Sequence, residues 1–353
     1  MDDFNDVYAG LKEKFNLTLI EFLKPYERTV NENLYDAIKY SLINSGKRIR
    51  PVLCMLGARF AKKSEDEVMP FALALEMIHT YSLVHDDLPA IDNDSMRRGK
   101  MTTHIMHGEA MAIFAGDALL NLAYELMTQE VSDTADFTRL KAMQMIMKAA
   151  GPNGMLNGQA KDVDYDRCGS YFLEHIVGMY RNKTADLIRA SLVSGALICG
   201  AKKAELEALS AFADSLGIYF QLQDDLLDEE EDGEKADLGP TIGDYLDGGE
   251  YENEFFSHTA SRATGGSVGS IFDIAGGADG GGEAAKDAPK ETAADFLVAV
   301  NKEKATFIKA AGREETQRTM EEYEDYILDA LEPLGPDADE LIGLFEFIKK
   351  RKN

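Results

Sequence analysis

Tryptophan is missing, and cysteine is scarce, with three in 353 residues. Cys54, Cys168 and Cys199 lie far apart and form no CxxC pair. Neither a disulfide framework nor a zinc site is expected, and a reducing cytoplasmic setting is the natural one. Positive charge is also short: 37 Lys and Arg stand against 63 Asp and Glu, giving a net charge of −26. That balance argues against nucleic acid or an anionic membrane as partner. No apolar run approaches the roughly 18 residues needed to cross a bilayer, so stable membrane insertion is not expected. The opening "MDDFND" is acidic where a secretory signal requires a basic region.

What the chain does have is helical periodicity. Leu34, Ile38 and Leu42 recur every four residues, "NSG" supplies a stop, and Pro51 stands near the start of the next helix. "PFALALEMIHTYSLVHDDL" is apolar around most of its circumference, as a buried central helix would be. "EAMAIFAGDALLNLAYELM", "EHIVGMYRNKTADLIRASLVSGALI" and "ELEALSAFADSLGIYFQLQDDLLDEE" predict further long helices. No strand alternation or repeat is evident, so the expected fold is all-α. The pattern breaks at about residues 239–293, which hold 12 of the chain's 30 glycines, including "GGADGGG". Such a segment buries too little apolar surface to offset its ordering entropy and reads as a loop inserted into a single domain spanning 1–353.

Against the acidic background two clusters carry chemical information. "VHDDLPAIDNDSMRRGK" packs Asp86, Asp87, Asp92 and Asp94 into nine residues. "FQLQDDLLDEE" contributes Asp224, Asp225 and Asp228, with Asp224 and Asp228 one helical turn apart. At an effective dielectric of about 20, two carboxylates about 4 Å apart repel by roughly 4 kcal/mol. Either cluster alone reads equally as a charged helix end facing water. If the two face each other they need cations, and hard oxygen ligands without His or Cys suit Mg²⁺. Cations cluster too: Lys47, Arg48 and Arg50 in "SGKRIRP", Arg97, Arg98 and Lys100 in "MRRGK", Arg181 and Lys183 in "RNKT". Arg and Lys suit phosphate oxygens, so a diphosphate site is expected.

In this order "GKRIRP", "HTYSLVHDDLPAIDNDSMRRGK", "AGDALL", "GQAKDV", "NKTADLIRAS" and "FQLQDDLLD" resemble the trans-prenyltransferases that make isoprenoid diphosphates, especially bacterial farnesyl diphosphate synthases. The resemblance implies an antiparallel helix bundle around an apolar cavity, a homodimer, and three Mg²⁺ ions held by Asp86, Asp87, Asp92, Asp224, Asp225 and Asp228. It implies that Arg97 holds an allylic diphosphate, with Lys183, Thr184, Gln221 and Lys304 nearby. Lys47, Arg50, His79 and Arg98 would hold isopentenyl diphosphate. His79, seven residues before Asp86, shares a helical face with it. The implied reaction is metal-assisted ionisation of the allylic diphosphate followed by head-to-tail extension. In the family a bulky residue five positions before the first aspartate closes the pocket at about C15; here it is Tyr81, followed by Ser82.

The sequence also departs from this pattern. "LGP" at Leu238 to Pro240 stands where relatives have "LGK", and "KATF" begins only at Lys304. Lys235 or Lys286 are candidates to replace the missing lysine. Farnesyl diphosphate is the expected product; geranylgeranyl diphosphate synthesis, class I terpene cyclisation and a non-catalytic partner subunit are the alternatives. "DDLLD" together with Lys47 and Arg50 disfavours the cyclase, whose second metal motif is of an Asn/Ser/Glu type.

Overall fold

A computed structural model of the chain describes residues 2–43, 46–168, 172–238 and 306–351. The chain divides into two compact units, one of residues 1–229 with 303–353 and one of 230–302. Of the second unit, only residues up to Leu238 are described. The 239–293 segment, Lys286 and Lys304 lie outside the described residues, as does the side chain of Lys235.

The described chain is all-α apart from one small hairpin. Helix α1 (Asp2–Leu23) is followed by α2 (Glu32–Ile43), α3 (Ile49–Phe60) and α4 (Met69–Asp86). Then come α5 (Thr103–His107), α6 (Glu109–Thr134), α7 (Phe137–Ala150), α8 (Met155–Cys168) and α9 (Leu173–Tyr180). A π-helical turn, Arg181–Ala185, joins α9 to α10 (Asp186–Ile198), which leads to α11 (Lys203–Leu238). The first unit resumes with α12 (Phe307–Ala311), α13 (Arg313–Leu331) and α14 (Asp339–Lys349).

Local chemistry sets several boundaries. Asn31 Oδ1 accepts from the N–H groups of Asn33 and Leu34 at 3.1 and 3.3 Å, capping α2. Asp136 does the same for α7 through Thr138 N at 2.8 Å. The apolar circumference of α4 is explained by its position: Phe71, Ala72, Ala74, Leu75, Met77 and Ile78 are fully enclosed, with α3 and α6 among the helices packed on it. Helices α3 and α10 approach closely because glycine faces backbone at two places. A Cβ on Gly195 would fall 2.0 Å from Cys54 O, and one on Gly57 2.4 Å from Leu192 O.

The all-α expectation holds for the described residues, with one small addition and one correction. A two-residue antiparallel pair, β1 (Met96–Arg97) with β2 (Lys100–Met101), places Met96 opposite Met101. It is too short to show alternation, and its turn residues Arg98 and Gly99 both take positive φ, 53° and 75°, as tight hairpins require. Second, α6 is long and apolar enough to cross a membrane by length and composition, contrary to the sequence expectation. Only 33% of its apolar window is buried. One side packs on α4 and α2, while Ile113 and Phe114 lie exposed.

Candidate active site

A cavity of about 1000 Å³ opens between α1, α3, α4, α8, the π turn and α11, and it is lined by residues of both acidic clusters. Lys47, Arg50, His79, Arg98, Asp86, Asp92, Arg97, Asp224, Gln221, Lys183 and Thr184 all line it. His79 and Asp86, seven residues apart on α4, do face the same space. Enclosure lowers the Arg50 guanidinium to about 10, and the Glu76 carboxylate is the charge that most opposes that fall. Burial, followed by the charges of Arg50, Arg98, Arg97 and Arg48, holds the His79 imidazole well below 6.5, so it is neutral at pH 7.

The six predicted metal-binding aspartates divide into two groups. Asp86, Asp92 and Asp224 line the cavity. The first two are brought together by the bend after α4, where Asp92 N donates to Asp86 O at 2.9 Å. Asp87 is buried and accepts from Arg97 Nε at 2.5 Å, while Arg97 Nη2 reaches Asp94 at 3.2 Å. Asp225 points away from the cavity. It accepts from the Tyr180 hydroxyl at 2.5 Å and from Phe307 N at 2.9 Å, and burial pushes its carboxyl up to about 6. Asp228 is exposed and does not line the cavity. Among the described residues no three acidic, His or Cys side chains stand close enough to hold an ion as they are. Expectation of six convergent ligands therefore overshoots: α11 turns adjacent aspartates to different sides, so Asp224 and Asp225 cannot share one face.

Asp224 has a partner that the sequence did not reveal. Arg351, just beyond α14, pairs with its carboxylate and lies 4.1 Å from the centre of the Phe220 ring. Burial raises the Asp224 carboxyl, and the Arg351 charge is the main opposing influence. All-carboxylate donors beside this many cations fit a hard cation that keeps water and diphosphate oxygens as its remaining ligands. Arg351 is a counter-charge to Asp224.

Opposite, the π turn carries Lys183 and Thr184. Lys183 pairs with Asp162 of α8, and Thr184 Oγ1 donates to Gln221 Oε1 at 3.0 Å. Gly158 lets α8 lie against this turn, since a Cβ there would fall 2.2 Å from Lys183 N. Leu19 and Ile20 of α1 and Tyr81, Ser82 and Leu83 of α4 also line the cavity. Tyr81 is 4% exposed and meets the His85 ring edge-on at 5.8 Å between centroids. Five helical residues place Tyr81 about 140° around α4 from Asp86, yet both border the one cavity.

Sequence reasoning also passed over Glu76 and Gln159. A carboxylate inside the apolar run "ALALEMI" was the available signal for Glu76. Gln159 lines the cavity with its Nε2 buried and unpartnered among the described residues. It lies in the "GQAKDV" segment, whose Asp162 was equally unassigned.

A helical bundle enclosing one deep cavity with acidic and basic groups at its mouth defines the isoprenoid synthase fold. The chain superposes on the crystal structure of an FPP/GFPP synthase from Zymomonas mobilis with a TM-score of 0.71 and 26% identity, covering 98% of this chain and 99% of that one. Residues 31–248 match the Polyprenyl synthetase family; the chain belongs to that family and is a prenyltransferase. It is 45% identical over 212 residues to a farnesyl diphosphate synthase from Geobacillus stearothermophilus, covering 60% of this chain and 70% of the relative. It is 40% identical over 243 residues to a geranylgeranyl diphosphate synthase from Cyanophora paradoxa, covering 66% and 80% respectively.

Proposed function

We propose that this prenyltransferase condenses isopentenyl diphosphate head-to-tail with dimethylallyl or geranyl diphosphate, with farnesyl diphosphate as the main product. The observation that carries this reading is the cavity that Asp86, Asp92 and Asp224 line together with Lys47, Arg50, Arg97, Arg98 and Lys183 and with the apolar Leu19, Leu83 and Tyr81. Asp86, Asp92 and Asp224 would hold magnesium, and buried Asp87 would fix Arg97 through their ion pair. Bound magnesium supplies Lewis-acid neutralisation of the departing diphosphate.

The remaining work falls to side chains of the chain itself. Arg97 and Lys183 grip the allylic diphosphate and stabilise the charge that grows as its C–O bond breaks. Lys47, Arg50 and Arg98 hold isopentenyl diphosphate, and neutral His79 donates a hydrogen bond without adding another positive charge to that group. Apolar walls exclude water that would quench the allylic cation. The isopentenyl double bond forms the new C–C bond, and a proton then leaves to the released diphosphate.

Exposed Ile105, Met106, Ile113 and Phe114 on α5 and α6 support a homodimer whose seam covers the uncovered face of α6. A cytoplasmic location agrees with the acidic, cysteine-poor composition. The test is incubation of purified protein with Mg²⁺, isopentenyl diphosphate and each allylic diphosphate, with products identified by mass spectrometry. A C15 alcohol after dephosphorylation is expected. Mainly C20 product would move the assignment to geranylgeranyl diphosphate synthesis, and no condensation would refute it.

A further inference from the structure

Glu76 and Arg48 have no part in the roles assigned above, yet they form a fully buried ion pair. Glu76 lies one turn before His79 on α4 and is 2% exposed. Its Oε1 accepts from Arg48 Nη1 at 2.5 Å. Arg48 also donates Nη2 to Leu42 O at 2.6 Å and Nε to Asn16 Oδ1 at 3.0 Å, and lies 5.7 Å from the centre of the Phe15 ring. One side chain thus ties α1, α2 and α4 to the turn that precedes α3.

That turn carries Lys47, and Arg50 follows in the first turn of α3. Arg48 itself sits between them in the left-handed region, at φ 57°, a conformation that a residue with a Cβ adopts only when its surroundings demand it. Lys47 O accepts from the Tyr8 hydroxyl, which pins the other side of the turn. Gly46 marks how tightly the cations gather: a Cβ there would fall 3.1 Å from Arg98 Nη1, 3.3 Å from Arg48 Nη1 and 3.4 Å from Glu76 Oε1.

Stability alone gives no reason for this arrangement. Desolvating two charges offsets most of their attraction, and an apolar pair of similar volume commonly holds a bundle as well. Both residues border the cavity beside Lys47, Arg50, His79 and Arg98. Glu76 Oε2 and Arg50 Nε are both buried and unpartnered among the described residues. Glu76 is therefore an anion with capacity left over, set among guanidinium groups.

We propose that the Arg48–Glu76 pair is the positioning element of the isopentenyl diphosphate pocket. It locks the turn at Lys47 and the start of α3 with Arg50 to the helix that carries His79, and supplies the negative charge that keeps the cations gathered before diphosphate arrives. The inference rests on the reading of that pocket given under the proposed function. The pair touches no reacting atom; it acts through Lys47, Arg50 and His79.

The test compares wild type with the double variant Arg48→Met/Glu76→Met, which removes both members of the pair together. Isopentenyl diphosphate binding is measured by calorimetry, and KM is measured for isopentenyl and geranyl diphosphates separately. The double variant should melt near the wild-type temperature and lose about tenfold in isopentenyl diphosphate affinity, roughly 1.4 kcal/mol, with KM for geranyl diphosphate within about twofold. Asn16→Ala loosens Arg48 without burying a lone charge and should shift the same constant by two- to threefold. Unchanged isopentenyl diphosphate affinity in both variants, or equal weakening of both substrates, would overturn the inference. Wild-type protein that condenses neither substrate pair would overturn the functional reading itself, and this inference with it.

Discussion

Tyr81→Ala offers the sharpest perturbation of product length. Asp86 and Tyr81 are separated by five residues of α4, about 7.5 Å along the axis at 1.5 Å per residue. A growing chain anchored by its diphosphate near Asp86 therefore meets the phenol ring within a few isoprene units. Removing the ring extends the cavity toward Tyr124, an α6 side chain near enough to Tyr81 to couple to its titration. A further five-carbon unit that finds apolar room gains about 0.8 kcal/mol per buried carbon, or roughly 4 kcal/mol. That is ample to retain farnesyl diphosphate for another addition before release. The expected stability loss is at most the 3–5 kcal/mol of an aromatic-to-alanine change in a core, and less here because the void joins an existing hollow. Geranyl and isopentenyl diphosphates would be supplied to wild type and variant, and the alcohols separated by chain length. C20 should become the main product of the variant. A folded, active variant that still stops at C15 would remove Tyr81 as the floor.

Three further predictions concern stability and assembly. Burial lifts the Asp225 carboxyl from 3.8 to about 6, so its favourable contribution is complete below pH 3.8 and is lost as pH rises through 6. Between pH 5 and 7 the metal-free protein should lose about 1 kcal/mol through this group, and Asp225→Asn should flatten that slope in urea titrations; an unaltered slope would contradict the burial argument. Gly195→Ala forces a Cβ against Cys54 O and should lower stability by about 1–3 kcal/mol through overpacking, read as a drop in melting temperature of several degrees; an unchanged melting temperature would show that α3 and α10 yield freely. Phe114→Glu, on the exposed side of α6, should weaken self-association by about 2 kcal/mol, roughly thirtyfold, in sedimentation experiments; a dimer of undiminished strength would place the seam elsewhere.

Much of the bundle was legible because 3.6-residue periodicity and buried apolar stretches report helices directly. That Lys47, Arg50, His79 and Arg98 line one cavity was legible only through the family resemblance of the motifs that carry them, not through periodicity. What escaped depended on direction and distance. Adjacent Asp224 and Asp225 are alike in sequence, but the helix sends one to the cavity and the other to Tyr180 and Phe307. Arg351 lies 127 positions from Asp224, and no local pattern links them. Glu76 was hidden because a carboxylate in an apolar run has no meaning until its cation is found. The hairpin of Met96–Arg97 and Lys100–Met101 is shorter than any window in which alternation can be counted.

The widened turn at Arg181–Ala185 has a geometric consequence. A π turn accommodates one residue more than an α turn, which offsets the angular phase of everything before it by about 100° relative to an uninterrupted helix. Trimming a single residue there would restore regular winding and swing the ammonium of Lys183 off its seat beside Asp162, without altering any side chain in the mouth of the cavity. The length of this short segment, as much as its composition, is thus a specification of where the Lys183 ammonium points.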